Sequence, residues 1–146
     1  MSRLEWQIAT VFIEDAEGRL VLQLRDDKPD IPHPGHWGLW GGRVEAGESP
    51  LEGAAREICE ELTLNVQPES LRFFTSVVLE SPAREWHAFY WNAGEAIDEA
   101  VVTEGQGLGR FHLQEIATGT LEGRLVHPVM LRLLDDYRAW RKNTKT

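Results

Sequence analysis

The first quarter of the chain alternates apolar and polar side chains. Glu5 to Glu14 reads as a strand, and a turn at Asp15-Ala16-Glu17-Gly18 leads into a second strand, Arg19 to Arg25. Alternation stops at Asp26 to His36, where Pro29, Pro32 and Pro34 require a loop. The period then lengthens: Leu51, Ala54, Ala55, Ile58 and Leu62 recur at three- and four-residue steps, one apolar face of a helix. Ser49 is a suitable N-cap, Pro50 fits the first helical position and Glu52 completes a capping box. Two more strands are expected at Leu71–Leu79 and Glu85–Trp91 around a Ser81-Pro82 turn, with another at Gly107–Leu113. Val129, Leu131, Leu134, Tyr137 and Trp140 then give helical spacing from Pro128 to Arg141. Mixed strands with two main helices fit an α/β fold.

The polar face of the first helix carries Arg56, Glu57, Glu60 and Glu61. Carboxylates three and four residues apart repel one another by roughly 0.2–0.5 kcal/mol per pair. Their retention on one face points to a cation, and hard oxygen ligands favour Mg2+, Mn2+ or Ca2+ over Zn2+. By themselves they are equally compatible with a solvated acidic face. The preceding Gly41-Gly42 changes that balance, because backbone without Cβ atoms can approach a ligand or metal closely.

Spacing narrows the reading. Five residues separate Gly42 from Glu48 and seven separate Glu48 from Arg56-Glu57-Ile58-Cys59-Glu60-Glu61, which runs on into Leu62-Thr63-Leu64. This resembles the Nudix box, with Thr63 in place of the closing Gly. His36-Trp37-Gly38-Leu39-Trp40-Gly41-Gly42 resembles the family's lead-in, with Trp40 in the proline position. The resemblance implies a Nudix-type α/β/α sandwich with a mixed central sheet. It also implies divalent-metal-dependent hydrolysis of a phosphoanhydride in a nucleoside diphosphate linked to another group X.

The site residues follow by matching positions. Glu57, Glu60 and Glu61 are the expected Mg2+ or Mn2+ ligands, the Gly41 carbonyl completing the shell. Glu57 or another of these acids is the expected proton acceptor. Arg56 is expected to orient Glu57, and Glu48 to support the loop. Glu104-Gly105-Gln106 resembles a loop of MutT-type members, which implies Glu104 as a fourth carboxylate, and Arg25 occupies the place of their substrate-contacting arginine. Gly41, Gly42 and Trp40 join Arg25 as candidate substrate contacts, although Trp40 fits equally as a core residue. At Thr63 a left-handed helix end is costly for a β-branched residue, which predicts a different ending, near Asn65. Val126 stands where MutT-type guanine-oxidation enzymes place a base-reading asparagine, and it cannot make those bonds.

Composition agrees with this chemistry. At 146 residues and 42% apolar, the chain suits one domain spanning residues 1–146. It has no apolar run long enough to cross a membrane and no signal segment. The single Cys59 reads as a packing residue, and its lack of a disulfide partner fits the cytoplasm. Net charge is −9, from 24 acidic and 15 basic residues, which argues against a nucleic-acid polymer as partner. A small phosphorylated nucleotide would need divalent cations to approach such a surface. Base and X-group selectivity is expected from Asp26–His36, Ser81–Arg84 and Gly105–Gly109, and His36 is a candidate for the pocket entrance. Asp26, Asp27 and Asp30 disfavour an additional phosphate and favour a nucleotide sugar. Trp6, Trp86 and Trp91 offer a homodimer patch if they face outward. The alternative function is a non-catalytic Nudix-fold module that senses a nucleotide.

Overall fold

The structure, a computed structural model, describes residues 4–144. Its strands are β1 (Trp6–Asp15), β2 (Leu20–Leu24), β3 (Trp37–Gly38), β4 (Trp40–Arg43), β5 (Arg72–Leu79), β6 (Arg84–Gly94), β7 (Gly107–Phe111), β8 (Thr120–Leu121) and β9 (Arg124–Leu125). The helices are α1 (Pro50–Leu62), the short α2 (Leu113–Ile116) and α3 (Pro128–Asn143). The main sheet runs β3-β2-β1-β6-β5, with β4 also paired to β1 and β7 to β2. Among the described strands, β1 and β6 form the one parallel ladder and the others are antiparallel, so the sheet is mixed; an isolated parallel bridge joins Trp37 to Val126.

Alternation along β1 divides the core into two layers. Ala9, Val11 and Ile13 pack with Ala54, Ala55, Ile58 and Leu62 of α1. Phe12, from the opposite face, packs with Met130, Leu133, Leu134 and Tyr137 of α3. The expected α/β/α sandwich is therefore present, the sheet lying between α1 and α3. Strand β1 is the axis, paired to β2 and β4 on one side and to β6 on the other.

Helix α1 begins as its sequence dictates. Ser49 Oγ accepts the Glu52 N–H at 3.1 Å, and the Glu52 carboxylate accepts the Ser49 N–H at 2.8 Å. Its end differs from expectation. Thr63 itself takes the left-handed conformation, φ 56° and ψ 38°, and Asn65 plays no part in the cap. Two hydrogen bonds hold this ending to the following segment: Thr63 Oγ1 donates to the Val101 carbonyl at 2.9 Å, and the Val101 N–H donates to the Leu62 carbonyl at 2.9 Å. Long-range contacts thus offset a local penalty of about 1–2 kcal/mol.

Strands β3 and β4 were not expected, because Trp37 to Arg43 shows no alternation; they form by pairing to neighbours already in place. Trp40 is fully buried, and its indole N–H donates to the Val21 carbonyl at 3.0 Å. A ring enclosed in the α1-side core has no face left for a ligand, so the stacking role expected for Trp40 is withdrawn. The outward Trp patch is absent too. Trp91 is buried, while Trp6 and Trp86, each partly buried, line an open cavity. Cys59 packs against the α1-side core and its Sγ accepts the Val66 N–H at 3.4 Å. No described helix is long and apolar enough to cross a membrane.

Candidate active site

The acidic face of α1 meets the sheet at Gly41-Gly42. Gly42 pairs with Ala9 and Gly41 with Thr10, which brings β4 beneath the helix. The Gly41 N–H donates to Glu61 Oε1 at 2.9 Å. A Cβ on Gly42 would lie only 2.7 Å from Glu57 Oε1, so the missing side chain is what gives the Glu57 carboxylate its room. At Gly41 φ is +137°, and a Cβ there would collide with the Ala9 carbonyl. One glycine is required by the backbone and the other by the acid above it.

Arg56 organises the rest. Its guanidinium donates to Glu48 through Nη2 at 2.8 Å and Nε at 3.1 Å, a bidentate pair, and its Nη1 reaches Glu57 and Glu60, each at 3.1 Å. Glu45 adds a further ion pair at 3.2 Å. Glu48 also accepts the Glu45 N–H at 2.8 Å, which ties the loop before α1 to the helix. The Arg56 bonds, with that backbone bond, hold Glu48 below the usual carboxylate range.

Glu57 and Glu61 are shifted the other way. Burial raises Glu57 and prevails over the opposing Arg56, with smaller repulsions from Glu60 and Glu104 acting in the same direction as burial. Glu61 is 4% exposed. Burial, then the negative charges of Glu57 and Glu104, push it up to about 9 despite the Gly41 hydrogen bond. Glu104 stands on a loop fixed to the end of α1, since Thr103 donates to the carbonyls of Glu60 and Glu61. Its own carbonyl accepts from Gln23 Nε2 at 3.1 Å. The fold thus gathers Glu57, Glu61 and Glu104. Glu60, its side chain 58% exposed, lies toward solvent beside Arg56.

Among the described residues, no three His, Cys, Asp or Glu side chains form a ready-made metal cage. The donor set nevertheless suits a hard cation. It consists of mutually repulsive carboxylates, of which the inner two, Glu57 and Glu61, are driven toward protonation by burial, a state that a divalent ion would relieve. Glu60 and Glu104 lie at the exposed rim of the set.

On the other face of the sheet, a cavity of about 540 Å³ runs from Gly41-Gly42 to the start of α3. Trp6, Leu39, Trp86 and Met130 supply apolar wall, while Arg25, Arg43, Arg84, His33 and His127 bring positive or neutral nitrogen. Arg25 is held by the carbonyls of Pro32 and His33, Nη2 to Pro32 at 2.8 Å. His127 caps α3, its Nδ1 accepting the Val129 N–H at 3.1 Å, which places the ring proton on Nε2. Burial and the adjacent His33 and Arg25 depress His127 to about 3, so the ring is neutral.

Several expectations need correction. Asp26, Asp27 and Asp30 do not line the cavity: Asp26 lies 4.0 Å from Lys28, and Asp27 and Asp30 are exposed. Their inferred exclusion of a further phosphate therefore lapses. His36 is also outside the lining, with His33 in its stead, and Gly105–Gly109 contributes nothing to it. Val126 is buried. The Ser81–Arg84 turn contributes Pro82 and Arg84 as expected, whereas sequence reasoning missed Arg43 and Trp6 as cavity residues, which come together only through β1 and had no local signal.

The NUDIX domain profile matches residues 6–128. The chain belongs to the Nudix family. Nudix-type structures similar to this one include a mutT/nudix family protein from Listeria innocua, with TM-score 0.74, 18% identity and coverage of 97% of this chain and 96% of that one. MutT protein from Methanosarcina mazei Go1 gives TM-score 0.71 at 22% identity, covering 99% of each chain. Among curated proteins, this Nudix chain is 36% identical over 64 residues to dihydroneopterin triphosphate diphosphatase of Escherichia coli K12. That match covers 44% of the chain and 39% of the relative.

Proposed function

We propose that this Nudix hydrolase is a pyrophosphohydrolase. It cleaves a phosphoanhydride bond in a small molecule of the type nucleoside diphosphate linked to X, with Mg2+ or Mn2+ as cofactor. The observation that carries this reading is the pair Glu57 and Glu61, raised toward protonation by burial, against Gly41-Gly42, the glycines that also line an arginine-bearing cavity on the other face of the sheet. The partial likeness to a diphosphatase of a pterin triphosphate supports it.

Glu57, Glu61 and Glu104, with Glu60 and the Gly41 carbonyl, are the groups that would hold the metal. When bound, it lowers the pKa of water and neutralises phosphate charge. Glu57 accepts the proton of the attacking water. Arg56 fixes Glu57 through a charge-assisted hydrogen bond and is itself fixed by Glu48. Arg25 and the Gly41-Gly42 backbone orient the substrate. The free thiol of Cys59 agrees with a cytoplasmic setting.

The test is product release from a panel of nucleoside triphosphates, nucleotide sugars and dinucleoside polyphosphates, with Mg2+ or Mn2+ and with chelator. Turnover that chelator abolishes is expected. Binding without metal-dependent release would instead identify a nucleotide-sensing module.

A further inference from the structure

In this acidic protein Arg19, Arg56, Arg110 and Arg141 each form an ion pair with a carboxylate. Arg25, Arg43 and Arg84, which all line the cavity, make no carboxylate ion pair among the described residues. Among the described residues, Arg72, Arg124, Arg132 and Arg138 lie elsewhere without a carboxylate ion pair, so what marks the cavity is the clustering of its arginines. The cavity wall contains no acidic side chain. In a chain with 24 acids and 15 basic residues, such a local excess of positive charge needs an external anion.

Two of the cavity arginines flank Trp6, on the face of the sheet away from α1. Arg43 lays its guanidinium over the Trp6 ring, 4.0 Å from the centroid. Trp6 is the register partner of Arg84 across the β1–β6 ladder. Arg84 is steered by its own turn, Nη1 donating to the Pro82 carbonyl at 2.8 Å. Trp86 in the same wall has a buried indole N–H with no acceptor. Gly41 lies opposite Thr10, whereas Arg84 lies opposite Trp6 on the other side of β1. At about 3.3 Å per residue along a strand and about 4.8 Å between strands, the two backbones are roughly 16 Å apart. Arg84 thus stands well away from Gly41-Gly42, while Arg43, next to Gly42 in β4, reaches over Trp6 and spans the interval between the two ends.

We propose that Arg43 and Arg84 form an oxyanion subsite for a second charged group of the substrate, a phosphate or carboxylate remote from the scissile diphosphate. The preferred substrates are therefore compounds with negative charge beyond the diphosphate, and not neutral nucleotide sugars. This rests on the pyrophosphohydrolase reading.

Matched substrates test it: UDP-glucuronate against UDP-glucose for a carboxylate, and NADP+ against NAD+ for a phosphate remote from the diphosphate. In the wild type, kcat/KM is expected to favour the more charged member of at least one pair by about 10-fold or more, the effect of a charge-assisted contact. Arg84→Gln and Arg43→Gln should each reduce that ratio toward one, and Arg84→Lys should restore most of it. Equal ratios in wild type, or variants that lower both members alike, overturn the subsite. A binding arm with chelator, read by quenching of the cavity tryptophans, separates this from the reaction itself. Charge-selective binding lost in Arg84→Gln without any hydrolysis would sustain the subsite and sink the enzyme reading. Hydrolysis without charge selectivity would do the reverse.

Discussion

Alanine at Gly42 should separate catalysis from stability. The new Cβ would stand 2.7, 2.8 and 3.0 Å from Glu57 Oε1, Cδ and Oε2. Ordinary contacts between heavy atoms are about 3.5–4.0 Å, so the carboxylate must retreat by roughly 1 Å. Gly42 does not use the left-handed backbone, and the atoms met end a rotatable side chain, so the fold can absorb the change. Reduced unfolded-state freedom contributes about 0.4–1 kcal/mol, which offsets a side-chain strain of about 0.5–1.5 kcal/mol. Stability should stay within about 1 kcal/mol, a shift of a few degrees in Tm. Turnover should not be spared: a 1 Å misplacement of a reacting group costs on the order of 100-fold, about 2.7 kcal/mol of barrier. Gly41→Ala is the control. Its Cβ meets the Ala9 carbonyl and lies 2.8 Å from Thr10 Cα, both backbone, so a loss of about 2–3 kcal/mol of stability is expected. Thermal melts and initial rates on one substrate decide the matter. Gly42→Ala with turnover within about 3-fold of wild type, or melting as low as Gly41→Ala, would refute the placement of Glu57.

Other perturbations give equally definite expectations. Glu57→Gln keeps the shape but removes the base, and single-turnover rates should fall at least ~100-fold. Glu61, raised to about 9, holds a proton in the folded state that the unfolded chain releases near 4.5. With chelator, unfolding free energy should therefore decrease as pH rises toward 9. The window above about 6.5 isolates this effect, because His127, depressed to about 3, is neutral there in both states. Mg2+ or Mn2+ should raise Tm in that window and release protons, measurable in weakly buffered solution; a pH-independent melt would count against the cluster. Glu14, its side chain 12% exposed, accepts from Arg141 at 2.9 Å, Tyr90 at 2.9 Å and Tyr137 at 3.2 Å. Glu14→Gln should lower stability by about 2–4 kcal/mol in urea denaturation, since it strands a partly buried guanidinium.

Periodicity located α1 and α3, each with one face on a core, and apolar-rich runs bounded by turn residues located β1, β2, β5 and β6. Spacing within α1 similarly placed Arg56, Glu57 and Glu61 before any tertiary information. What remained hidden was set by contacts between distant segments. Thr63 adopts a conformation its own side chain disfavours because Val101 holds it there. Trp40 looked available to a ligand until β4 docked on β1 and enclosed it. The cationic cavity was only partly legible because Trp6, Arg43 and Arg84 belong to three strands, and only the β1 register brings them together.

The acids and the cavity lie against opposite faces of β1, and Gly41-Gly42 is the window between them. Recognition can consequently drift, through changes at Trp6, Arg43 or Arg84, while the hydrolytic apparatus is left untouched. Descendants of such a scaffold can trade one phosphorylated metabolite for another cheaply. The glycine pair has no such liberty, being answerable to both sides at once.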